Sequence, residues 1–168
     1  MRRFFTMAIV ILISFLVQTT ILQKLALADV VPNLLLIITV TFGYMRGEKE
    51  GMFTGFFCGL LVDCMYGEIV GLYTLLYLVI GYLNGLCRKL YYSDHSVVTV
   101  ALITLSDLIY NFFYYIFEFL FRSRLEFLFY LRRIIIPEMV YTLLMAVVLY
   151  RLLHALNSML EHYEKREV

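Results

Sequence analysis

Two aspartates, Asp63 and Asp107, three histidines, His95, His154 and His162, and three cysteines, Cys58, Cys64 and Cys87, are the reactive side chains set in or beside the apolar runs of this chain. Paired aspartates inside a membrane could activate water for peptide hydrolysis, and a serine with a buried histidine could act by nucleophilic catalysis. Neither aspartate carries a surrounding motif of that kind, and the chain contains no HExxH, GxSxG or P-loop pattern. The cysteines lack CxxC or Cys/His ligand spacing and read as small apolar packing residues. The histidines fall near helix ends, where headgroups or water receive them. The expectation is a protein that is not an enzyme and holds no metal or cofactor.

The carboxylates still need a reason, because a charged group at the bilayer centre costs roughly 2.5–3.5 kcal/mol on insertion scales. Asp63 closes the stretch GMFTGFFCGLLVDCMYG, in which Gly51, Gly55, Gly59 and Asp63 recur every four residues. Such steps trace a shallowly winding stripe on one side of a helix. In lipid little hydrophobic force joins helices, so association depends on the close backbone contact that small residues permit. Gly81 and Gly85 repeat the spacing one helix later. Asp63 is expected to bond donors of a neighbouring helix and pin one crossing geometry. A second polar stripe, Asp107, Asn111, Tyr114 and Glu118, shares a face at steps of four, three and four. Asp107 lies about ten residues, or roughly 15 Å, from one helix end. Asn84, Gln18 and Thr19 are its candidate partners. A functional group and a bundle-internal one are both open readings of Asp107.

The elements that must position these residues follow from composition. Of 168 residues, 62% are apolar and 16% charged, against roughly 25% charged in soluble domains. Mean hydropathy is +0.85. An all-α polytopic membrane protein is expected, a single domain over 1–168 with spans at about 4–27, 31–46, 50–66, 69–87, 96–121 and 132–155. The third span should be the most tightly packed, and Pro32 suits the first turn of the second. The start MRRFFTMAIVILISFLVQ, with ALAD at Ala26 to Asp29, resembles a secretory signal. Its apolar stretch is longer than the usual ~7–15-residue signal core, so an uncleaved span is expected. The link RSRLEFLFYLRR is too short to cross the bilayer and suggests a segment lying on the surface.

Orientation follows from lysine and arginine placement. A cytoplasmic N-terminus gives that side Arg2, Arg3, Arg46, Lys49, Arg88, Lys89, Arg151, Lys165 and Arg166, against Lys24, Arg122, Arg124, Arg132 and Arg133 outside. Both termini are therefore expected inside. The net charge of +1 gives no footing for nucleic acid. Fourteen tyrosines and fourteen phenylalanines suit interfaces and lipid-facing surfaces, and YNFFYYIFEFLF at 110–121 could dock a partner helix.

The second to fourth spans resemble the MreD family of bacterial rod shape-determining membrane proteins. The resemblance is carried by Pro32, Asn33 and Leu34 opening the second span, then Gly47, Gly51, Gly55, Phe56, Gly59, Leu60 and Asp63, then Gly67, Gly71 and Leu76. It implies a non-enzymatic scaffold of the elongation complex in the bacterial inner membrane, controlling cell shape and lateral peptidoglycan synthesis. The partners it implies are MreC, RodA with its penicillin-binding transpeptidase, and MreB. The family also resembles the six-helix substrate-binding subunits of vitamin transporters, so the alternative is a transporter subunit with a small-molecule pocket.

Overall fold

The computed structural model describes residues 2–24, 31–66, 71–90, 96–117 and 131–164, and among them there is no strand. Helix α1 (Arg2–Leu16) continues through a widened π turn at Val17–Ile21 into Leu22–Lys24. Helices α2 (Leu34–Arg46), α3 (Glu48–Tyr66) and α4 (Leu72–Leu86) follow. Helix α5 spans Ser96–Tyr115, and α6 (Ile136–Glu164) is preceded by a second π turn at Leu131–Ile135. The protein is an all-α membrane protein, as its composition requires.

Length and hydropathy mark Phe5–Lys24, Val97–Tyr115 and Leu131–Ala155 as sufficient to cross a bilayer. The other three helices of the expected six are shorter or more polar. Helices α2 and α4 have 13 and 15 residues, while α3 has 19 but carries Glu48 and Glu50 in its first turn and Asp63 near its end.

Sequence explains why α2 can be short. Its residues LLLIITVTFGYM are apolar or nearly so on every side, the mark of a helix enclosed by others. Every residue from Leu34 to Met45 is buried, and α2 packs against all five other helices. Enclosure is therefore greatest for α2, whereas α3, expected to be the most tightly packed, makes the closest backbone approaches at Gly51, Gly55 and Gly59 and still exposes Phe53, Phe56, Leu60 and Met65 along one face.

A helix that begins within an apolar layer leaves amide donors that lipid cannot satisfy. For α2 two side chains meet that need. Asn33 is the N-cap, its Oδ1 accepting from Leu36 N at 3.1 Å, and Gln18 Oε1 accepts from Leu35 N at 3.2 Å. Gln18 lies in the π turn of α1, one of the irregular turns that often sit at functional positions. Pro32 precedes the cap and so lies outside the first helical turn, because Asn33 takes the capping position. Asn33 is itself held from two sides: Tyr77 OH donates to its Oδ1 at 2.8 Å, and its own N–H donates to Thr142 Oγ1 at 3.3 Å. Helices α1, α4 and α6 thus converge on one helix start.

At its other end α2 turns into α3 through Gly47 alone. Gly47 has φ +103°, a conformation that side chains disfavour, and its N–H donates to Gly43 O at 2.7 Å. Arg46 and Glu50 close the corner with an ion pair at 3.2 Å.

Replacing Asn33 by alanine removes the cap and the acceptor of Tyr77 together. Asn33→Ala should cost about 2 kcal/mol or more, and Tyr77→Phe about 1 kcal/mol, both read as lowered melting temperature of the purified protein in mild detergent.

Candidate functional site, a glycine seam closed by Asp63

Helices α3 and α4 run antiparallel, and their facing residues meet backbone to backbone. A Cβ placed on Gly51 would lie 2.8 Å from Gly43 Cα and 3.1 Å from the Gly81 carbonyl carbon. At Gly55 it would meet the Tyr77 carbonyl carbon at 2.8 Å, and at Gly59 Thr74 Cα at 2.5 Å. From the α4 side, a Cβ on Gly81 would lie 2.7 Å from the Gly51 carbonyl carbon, and one on Gly85 the same distance from that of Gly47. Real Cβ atoms do not approach backbone so closely, so each position excludes even alanine unless the helices part. The contacts step through the whole pair: as residue numbers rise by four along α3, those on α4 fall by three or four.

Gly43 joins the seam from α2, since a Cβ there would stand 2.9 Å from Gly81 O and 3.4 Å from Gly85 N. Three helices therefore share the level of Gly43, Gly51 and Gly81. Sequence reasoning passed over Gly43 because the stripe was followed within one helix; the signal was present, as Gly43, Gly47 and Gly51 keep the four-residue step across the corner.

Asp63 closes the seam at the end away from Gly47. It is 2% exposed. Its Oδ1 accepts from Tyr73 N at 3.0 Å, and its Oδ2 accepts from Gly71 N at 3.0 Å and Thr74 N at 2.8 Å, with the Thr74 hydroxyl donating to the same oxygen. These amides are the first-turn donors of α4, which has no side-chain cap of its own. A carboxylate from α3 thus caps α4, and its charge sits at the positive end of that helix. Gly71 supplies the turn, with φ +105° and open space beyond its Cα.

The remaining sequence candidates fall elsewhere. Leu34 is 1% exposed inside the core, while Phe56 and Leu60 point outward. Asp107 and Asn111, each 1% exposed, lie on the buried face of α5, with Tyr114 partly buried beside them. None of the partners suggested for Asp107 reaches its carboxyl. Asn84 donates to Ser106 Oγ and Ile80 O, Gln18 serves α2, and Thr19 donates to Phe15 O. Gly67, Glu118 and the segment 122–130 lie outside the described residues. Of the cysteines, Cys58 is buried as a packing residue should be, whereas Cys64 is exposed and Cys87 intermediate. His154 stacks on Tyr150 with ring centroids 5.8 Å apart.

The seam makes a sharp steric claim. Gly55→Leu should abolish stable folding in detergent, Gly55→Ala should lower the melting temperature by an overpacking cost of about 1–3 kcal/mol, and Cys64→Ala should leave it unchanged. Asp63→Asn keeps the volume but turns an NH₂ group toward amide donors, so it should cost about 2 kcal/mol or more.

Comparison with known proteins places this arrangement. No curated protein and no solved structure gives a significant match. A family model described as rod shape-determining protein MreD matches residues 1–160 of the 168. That span takes in all of the seam, its aspartate and most of α6, and the chain belongs to the MreD family of rod shape-determining proteins.

Proposed function

We propose that this protein is a non-enzymatic scaffold of the rod elongation complex in the bacterial cytoplasmic membrane. Both termini face the cytoplasm. It binds MreC and, with it, RodA and its penicillin-binding transpeptidase and the MreB filament, and so directs lateral peptidoglycan synthesis. The family match over residues 1–160 is the observation that carries the reading.

Two structural features support it. The backbone seam and the caps of α2 and α4 give a core with few alternative packings, which suits a part whose role is to hold others in place. Around that core, α5 exposes Leu105, Leu108, Phe112 and Phe113, and α6 exposes Val140, Leu144, Val148 and Leu152. Phe112 and Phe113 are in edge contact at 6.1 Å, and Phe113 stacks on Phe117 at 6.4 Å, giving a knobbed surface for a partner helix to pack against by shape. The transporter reading gives Asp63 a ligand to face. Both Asp63 oxygens are instead engaged by α4, so no observation favours that alternative.

Depletion should round rod-shaped cells, and the tagged protein should retain MreC in mild detergent. Replacing Phe112 and Phe113 together by alanine should reduce MreC recovery several-fold while the melting temperature holds. Full recovery from that variant counts against α5 as the docking face, and preserved rod shape on depletion counts against the function.

A further inference from the structure

A hollow of about 240 Å³ opens between α1 and α3, whose outward faces the scaffold reading leaves unused. Met7, Ile11 and Thr54 are buried at its floor, while Leu12, Phe53 and Leu60 stand exposed at its rim. Ala8 and Thr54, small among bulky neighbours, leave the space. Thr54 turns its hydroxyl aside, donating to Glu50 O at 2.8 Å. The lining is therefore apolar throughout, and it offers no hydrogen bonds to orient a sugar, a nucleotide or a vitamin. The volume exceeds the roughly 150 Å³ that admits benzene to an apolar cavity. A helix, about 10–12 Å across with its side chains, is too bulky to enter it. A single flexible hydrocarbon chain satisfies both limits.

Charge marks one end of the hollow. Gln18, late in α1, reaches the start of α2, and α2 turns at Gly47 into α3, so α1 and α3 begin at the same end of the bundle. Lys49 is exposed in the first turn of α3, one turn before Phe53 and on the same side of the helix. Arg2 and Arg3 open α1, and Arg3 stands one turn before Met7. The acidic neighbours are placed elsewhere. Glu48 stands on the seam side of α3, its Cα against Gly85, and Glu50 is ion-paired with Arg46 at 3.2 Å. A lysine at the water edge of an apolar slot complements a negatively charged head joined to an apolar tail.

We propose that the hollow between α1 and α3 is a site for one anionic phospholipid, which lays an acyl chain over Ile11 and Thr54 and sets its phosphate against Lys49, with Arg2 and Arg3 at the same end. Shape selects the chain, and charge selects the head. The bound lipid covers the exposed rim and ties α1 to α3, which the glycine seam does not reach. The site shares no residue with the outward faces of α5 and α6, so it can fail while the scaffold reading stands.

In the test, the full chain is released from mixed micelles holding equal amounts of phosphatidylglycerol and phosphatidylcholine with the same acyl chains, and the lipid it retains is counted by native mass spectrometry. One phosphatidylglycerol per chain should be retained, with a preference of about fivefold or more over phosphatidylcholine. Ala8→Phe, which fills the hollow, should lose retained lipid of either head. Lys49→Glu, at an exposed position, should keep the melting temperature of the parent and lose the preference. Should Ala8→Phe not fold, competition on the unmodified protein replaces it: neither dihexanoyl phosphatidylglycerol nor inorganic phosphate should displace the long-chain lipid, because neither fills the slot. Equal retention of the two lipids, undiminished retention in Ala8→Phe, undiminished preference in Lys49→Glu, or displacement by inorganic phosphate would each overturn the proposal. So would many lipids held without saturation, which identify an ordinary lipid coat, or a dimer of the chain that excludes lipid in the same spectra.

Discussion

The structure depends on two helix backbones touching along most of their length. In water such a contact would be one among many, because hydrophobic burial would hold α3 and α4 together whatever their side chains. In lipid the acyl chains offer apolar side chains an equal surface, so what remains is dispersion between atoms that can approach closely, and approach is limited by Cβ. Gly51, Gly55, Gly59, Gly81 and Gly85 remove that limit, and Gly43 extends the removal to a third helix. The outward Phe56 and Leu60 alternate along α3 with this smooth face, which divides one helix between holding the bundle and meeting its surroundings.

A second constraint accompanies the first. Helices brought this close and kept this short have termini inside the apolar layer, where an amide without a partner is costly. The chain meets it by borrowing caps across helices. Asp63 of α3 caps α4, while Gln18 of α1 joins Asn33 in capping α2. Each borrowed cap is also an interhelical tie, so the groups that satisfy the backbone also fix the order of packing. Fixed register gives the bundle the same exterior each time it folds.

Much of this was legible in the residues, and what was not has physical causes. Composition and run length suffice for an all-α membrane protein, because lipid allows few alternatives. Four-residue glycine spacing marks a helix side without side chains, yet it does not name the neighbour, and Gly43 was passed over because its face continues a stripe across a corner. The enclosure of α2 could have been read from the lack of any polar face in LLLIITVTFGYM. The packing of Tyr115 on α5 against Ile135 at the start of the sixth span could not be read, since the two residues are far apart in sequence and come together only through the tertiary fold. Asn84 looked like a partner for Asp107 on chemical type alone, but its amide is used by Ser106.

The seam also narrows what the chain can become. Leu75, Val79, Tyr82 and Leu83 on the outer side of α4 stand exposed and can exchange for other apolar residues, whereas a side chain at Gly81 or Gly85 on its inner side requires α3 to shift with it. Sequence drift in this helix is therefore confined to one side.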